Sequence, residues 1–81
     1  MQGKMTKDLQ QDLIEAALPP GKTYKEALQR ASNCRDALWG FAGCDLDEDE
    51  KVGELETYCT RLCQGNKKAG VALAEEAMWN P

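Results

Sequence analysis

Apolar residues recur along the chain at steps of three and four, the period of an amphipathic helix, and no window alternates in the manner of a strand. Leu9, Leu13, Ile14 and Ala17 make the first stripe. Leu18-Pro19-Pro20-Gly21 ends it, because proline has no N–H to donate and disfavours helical backbone before it, so a first helix is predicted over 7–17. Thr23-Tyr24-Lys25-Glu26 then has the form of a capping box, hydroxyl and carboxylate satisfying backbone N–H groups reciprocally at a helix start. A second helix therefore begins at Tyr24, with Tyr24, Ala27, Leu28, Ala31, Cys34, Leu38 and Phe41 on one face. Gly40 and Gly43 weaken its end, which falls anywhere between Trp39 and Cys44. A third helix, over about 54–64, presents Leu55, Cys59, Leu62 and Cys63 on one side, and Gly65-Asn66 supplies a left-handed stop. A fourth spans about 67–79. The expected fold class is all-α, a compact bundle of four short helices in one small domain, stapled by disulfides.

Charge sharpens this picture at one place. Residues 45 to 56 hold seven acids against one lysine, a local −6 within a formal net charge of −4, which leaves +2 for the rest of the chain. The acidity is thus a segment and not a coat. It argues against nucleic-acid backbones as partners and for cations or a basic protein surface, and Lys67-Lys68 is too small a cluster to reverse that. No apolar stretch is long enough to span a membrane.

A chain of 81 residues buries only about 60–65% of its unfolded surface, so cross-links or a bound ion would add to a thin margin of stability. Cys34, Cys44, Cys59 and Cys63 are an even number, which reads as two disulfides outside the cell and as thiols inside it. An extracellular setting is expected over a cytoplasmic one. Residues 1–7 lack the apolar run of a secretory leader, so a secreted form would already be trimmed, whereas a native initiating Met would favour the interior. Of the three pairings, Cys44–Cys59 nested inside Cys34–Cys63 suits two antiparallel helices. Ten helical residues on one side must then match four on the other, a discrepancy of about 9 Å that an end of the second helix near Gly40 would relieve. A four-thiolate zinc site is the competing chemistry, although only Cys59 and Cys63 have the usual close spacing. Ordinary unpaired thiols are the third reading.

From Asp45 as position 1, Asp47 and Asp49 fall at 3 and 5, Lys51 at 7 where a carbonyl suffices, Val52 at the apolar position 8 and Glu56 at 12. These are the spacings of a calcium loop. With Cys44 in front, Cys44-Asp45-Leu46-Asp47-Glu48-Asp49 resembles the EF-hand superfamily, most closely the disulfide-bridged loop of osteonectin-type extracellular calcium-binding domains. The resemblance covers the loop and its flanks only. It implies calcium held by Asp45, Asp47, Asp49, the Lys51 carbonyl and Glu56, and a bridge from Cys44 to Cys59. Glu50 stands where the loop's sharp turn favours glycine. The plainer reading is an acidic lead-in to the third helix, favourable near the positive end of its dipole.

Catalytic signatures are few. The chain has no histidine, which removes Ser–His and Cys–His pairs, and a nucleophilic cysteine would need another electropositive niche. Pro20-Gly21-Lys22-Thr23 lacks both the first glycine of a phosphate loop and a preceding strand. Glu75 and Glu76 are sequence neighbours on a helix and face apart. Trp79 is expected to close the core, or else to anchor a partner; Trp39, beside the main stripe, is the better candidate for partner contact. The expected function is a non-enzymatic helical module that binds another protein, as a secreted effector, signalling protein or toxin. The alternatives are a calcium-binding domain and a small intracellular acidic regulator with free thiols.

Overall fold

Among the described residues four helices follow one another: α1 (Lys7–Ala17), α2 (Tyr24–Trp39), α3 (Glu48–Leu62) and α4 (Lys67–Trp79). The computed structural model describes residues 7–41 and 43–79, with side chains from Leu9 onward, and no strand occurs among them. Residues 1–6, whose lack of an apolar run bears on the leader, lie outside the described residues. The fold is all-α, and no helix among the described residues is long and apolar enough to cross a membrane.

α4 is the hub, packing against each of the other three. It can do so because its buried positions are Ala69, Gly70, Ala72, Leu73, Ala74 and Ala77, side chains small enough for helices to close in around it. At Gly70 the approach of α3 is so near that a Cβ would lie 2.6 Å from the Thr60 backbone nitrogen. Glycine is required there for space. Ile14, Leu55, Leu73, Cys59 and Cys63 are the largest wholly buried side chains, with Leu13, Tyr24, Leu28, Cys34, Leu38 and Leu62 packed around them. The stripes of α2 and α3 therefore point inward as their spacing implies. Leu9 and Phe41 depart from it: Leu9 is exposed, and α2 stops at Trp39, before Phe41.

Polar side chains stitch the helices together. Gln10 Nε2 donates to the Ala72 carbonyl at 3.1 Å, Gln64 Nε2 to the Ala17 carbonyl at 3.1 Å, and the Tyr24 hydroxyl to Glu76 Oε1 at 3.1 Å. Among the described residues no buried side-chain nitrogen or oxygen lacks a partner, as a well-formed interior requires.

The helix starts show how local chemistry sets boundaries. Thr23 Oγ1 accepts from the Glu26 N–H at 3.1 Å, but the Glu26 carboxylate turns to Lys22 and Arg30 and does not complete the expected box. α3 begins at Glu48, six residues before the expected 54. The reason is a signal in plain view: Asp47 and Glu50 have N-cap and N3 spacing, and the Asp47 N–H donates to Glu50 Oε1 at 3.0 Å. Glu50, out of place in a calcium loop, is in place here. At the other end Gly65 adopts φ 86° and its N–H donates to the Thr60 carbonyl at 2.8 Å, which terminates α3 at Leu62; Asn66 Oδ1 then accepts from the Ala69 N–H at 3.1 Å to start α4.

Candidate functional site: the aromatic and acidic end

The C-terminal ends of α2 and α4 meet beside the N-terminus of α3, and most of the unspent apolar surface gathers there. Trp39, the last residue of α2, is half-buried against the core, and its Nε1 donates to Glu48 Oε2 at 3.0 Å. Lys51 Nζ stands 5.8 Å from its ring centroid, within cation–π range. Arg35, one turn earlier, donates through Nη1 to the Ala77 carbonyl and through Nε and Nη2 to Asp36, at 3.0 and 2.8 Å, and so ties α2 to the last turn of α4. Between them Arg35, Trp39 and Met78 line a cavity of about 200 Å³.

Two aromatic rings that follow its lining residues in the chain are left without cover. Phe41 is 93% exposed and Trp79 is 85% exposed. The two tryptophans thus exchange their expected places: Trp79 does not close the core, because the small residues of α4 have already brought the helices together, and Trp39 is partly spent on packing and on Glu48. Phe41 is thrown outward by consecutive tight turns, in which the Cys44 N–H donates to the Phe41 carbonyl at 3.3 Å and the Leu46 N–H to the Gly43 carbonyl at 3.1 Å. Gly43 is buried against the Leu38 backbone, where a Cβ would collide with the Leu38 carbonyl.

The neighbouring segment carries the charge. Asp45, Asp47, Glu48, Asp49 and Glu50 are all exposed, and Lys51 is occupied over Trp39. The positive end of the α3 dipole stabilises the carboxylates of its first turn, so the acidity is tolerated without counter-cations.

The expected calcium ligands are dispersed by the early start of α3. Asp45 lies in a turn, Asp47 is the N-cap, and Asp49, Lys51 and Glu56 ride on the helix. A helix rises about 1.5 Å per residue and turns its side chains outward, so Asp49 and Glu56 stand about 10 Å apart along the axis. The Lys51 carbonyl is committed to helical bonding. Among the described residues no three acidic or cysteine side chains converge as a metal group, zinc included.

The nested disulfides are likewise not formed: Cys34, Cys44, Cys59 and Cys63 are all free thiols. Cys59 lies eleven residues into α3 from Glu48, about 17 Å along its axis, whereas Cys44 is at the surface before the helix starts, far beyond the roughly 7 Å reach of a disulfide. Burial pushes the Cys59 thiol up from 9.0 to about 12, with smaller contributions from the neighbouring Cys34 and Cys63 and from Glu56. Cys34 and Cys63 are raised too, by burial first and, for Cys34, by Glu54 as well. These shifts oppose thiolate formation, the requirement for a nucleophilic cysteine. Comparison with protein-family models, curated proteins and solved structures finds no match to this chain.

Proposed function

We propose that the protein is a non-enzymatic binding module that docks its aromatic and acidic end onto another protein, whose contact surface is apolar and rimmed by lysine and arginine. The observation that carries this reading is the near-complete exposure of Phe41 and Trp79, which follow the cavity-lining Trp39 and Met78 closely in the chain, together with the five exposed carboxylates of residues 45–50. Large aromatic side chains dominate interface energies when a partner desolvates them, and a charged rim selects the partner and speeds encounter. Phe41 and Trp79 contribute little to the fold from their exposed positions, so their place on the surface is better explained by a contact than by packing.

The test separates binding from folding. The immobilised chain is compared with Phe41→Ser/Trp79→Ser and with Asp45→Asn/Asp49→Asn for retention of proteins from its native source. The reading expects one retained protein, basic at its contact surface, to be lost from both variants and to elute with salt, while circular dichroism melts of Phe41→Ser/Trp79→Ser match the parent. Retention indifferent to both sets of substitutions would remove this end as the docking surface.

A further inference from the structure

The opposite end of the bundle, where α1 turns into α2 and α3 finishes, has a different chemistry. Leu18, Pro19, Ala27 and Leu62 supply apolar walls to a cavity of about 190 Å³ that is also lined by Lys22, Arg30 and Arg61, with Glu26 the one acid. That volume exceeds the roughly 150 Å³ of an apolar cavity that accepts benzene. Glu26 Oε2 is shared between Lys22 at 3.4 Å and Arg30 at 3.6 Å, both long for a strong pair, and Arg61 has no acidic partner among the described residues. The lining thus sums to +2 in a chain of net charge −4. Favourable placement near the negative end of the α3 dipole would account for Arg61 alone, but not for an apolar hollow left open beside three cations.

We infer that this cavity is a binding site for an apolar carboxylate. An aliphatic body the size of a leucine side chain rests against Leu18, Ala27 and Leu62, and the carboxylate meets Arg61, whose planar guanidinium suits two-point recognition of such a group. Arg30 and Lys22 reinforce the anion, and Glu26 competes with it for both. The same chemistry is presented by a small branched-chain acid and by the C-terminal residue of a peptide. This inference is independent of the aromatic end, which lies at the other pole of α2.

Titration of the ¹⁵N-labelled full chain with 4-methylpentanoate, followed by NMR, tests it. The amides of Leu18, Ala27, Arg61 and Leu62 should shift with a dissociation constant on the order of 1 mM, the strength available to so few atoms. The neutral 4-methylpentanamide should bind roughly tenfold or more weakly, because the charge-assisted contact is lost. Arg61→Gln, at an exposed position, should reproduce that loss without changing the melt. Glu26→Gln should tighten binding of the carboxylate, an outcome that a purely structural role for Glu26 would not produce. N-acetyl-glycyl-leucine and its amide repeat the comparison: tighter binding of the peptide acid than of 4-methylpentanoate assigns the site to a peptide C-terminus, and weaker or equal binding assigns it to a free acid. No shift at about ten times the expected constant, equal binding of acid and amide, or full binding by Arg61→Gln would each overturn the inference.

Discussion

The α3–α4 seam and the aromatic end beyond Trp39 treat apolar surface in opposite ways. At the seam, glycine and alanine on α4 let α3 approach until Gly70 touches the Thr60 backbone, and Leu55, Cys59 and Leu73 vanish from solvent. At the other place, Phe41 and Trp79 are large, apolar and almost wholly exposed. The small residues let the helices close on Ile14, Leu55 and Leu73, and the two exposed rings hold almost none of the fold. Size therefore misleads as a guide to the core: close backbone approach over small side chains builds the seam, while the two largest exposed rings lie past the end of α2 and at the last residue of α4.

This contrast breaks most severely at Gly70. In the interior of a helix Gly→Ala ordinarily gains up to about 1 kcal/mol from propensity. At Gly70 the added methyl group would meet backbone and would force α3 and α4 apart, so Gly70→Ala is expected to lose about 2–3 kcal/mol net, a large share of the stability of a small domain. Urea denaturation followed by circular dichroism measures it, and a variant as stable as the parent would show that the seam is not close-packed. Phe41→Ser/Trp79→Ser, by contrast, should change the unfolding free energy by no more than about 0.5 kcal/mol.

Alkali probes the buried side of the same contrast more gently. Burial, then the negative charge of Glu76 and a hydrogen bond to it, and lastly Glu15, raise the Tyr24 hydroxyl from 10.0 to about 12, and burial first raises the Cys59 thiol from 9.0 to about 12. Both groups stay protonated in the folded chain at pH values where the unfolded chain has released its protons. Their contribution is therefore fully present below about pH 9 and is lost as pH rises toward about 12. Denaturation midpoints should be flat below pH 9 and fall above it, with Tyr24→Phe making the fall shallower above pH 10. A midpoint that rises over that interval would contradict the burial of both groups.

The smallest effect is expected at the acidic segment. Because α3 runs through Asp49 and Lys51, calcium at about 1 mM should leave the melting temperature unchanged, and Glu56→Gln should not alter that. A rise with calcium that Glu56→Gln abolishes would mean that the first two turns of α3 unwind into a loop around the ion.

Local pattern by itself determined the four helices, the inward faces of α2 and α3, the start of α2 at Tyr24 behind its Thr23 cap and a stop for α3 at Gly65, just past its end at Leu62, because each depends on residues within one or two turns of one another. The early start of α3 was equally local and equally legible: Asp47 and Glu50 carry the capping signal that the calcium spacing masked. What only the tertiary structure decided was which surfaces the other helices would cover. Whether Trp39 or Trp79 faces water, whether Cys44 comes near Cys59, and whether Leu18, Leu62 and three cations share one hollow all depend on residues far apart in the chain. Those outcomes depend on how the helices pack against one another, α4 against three partners at once and α2 against α3, a long-range fit that no periodicity within a single helix encodes.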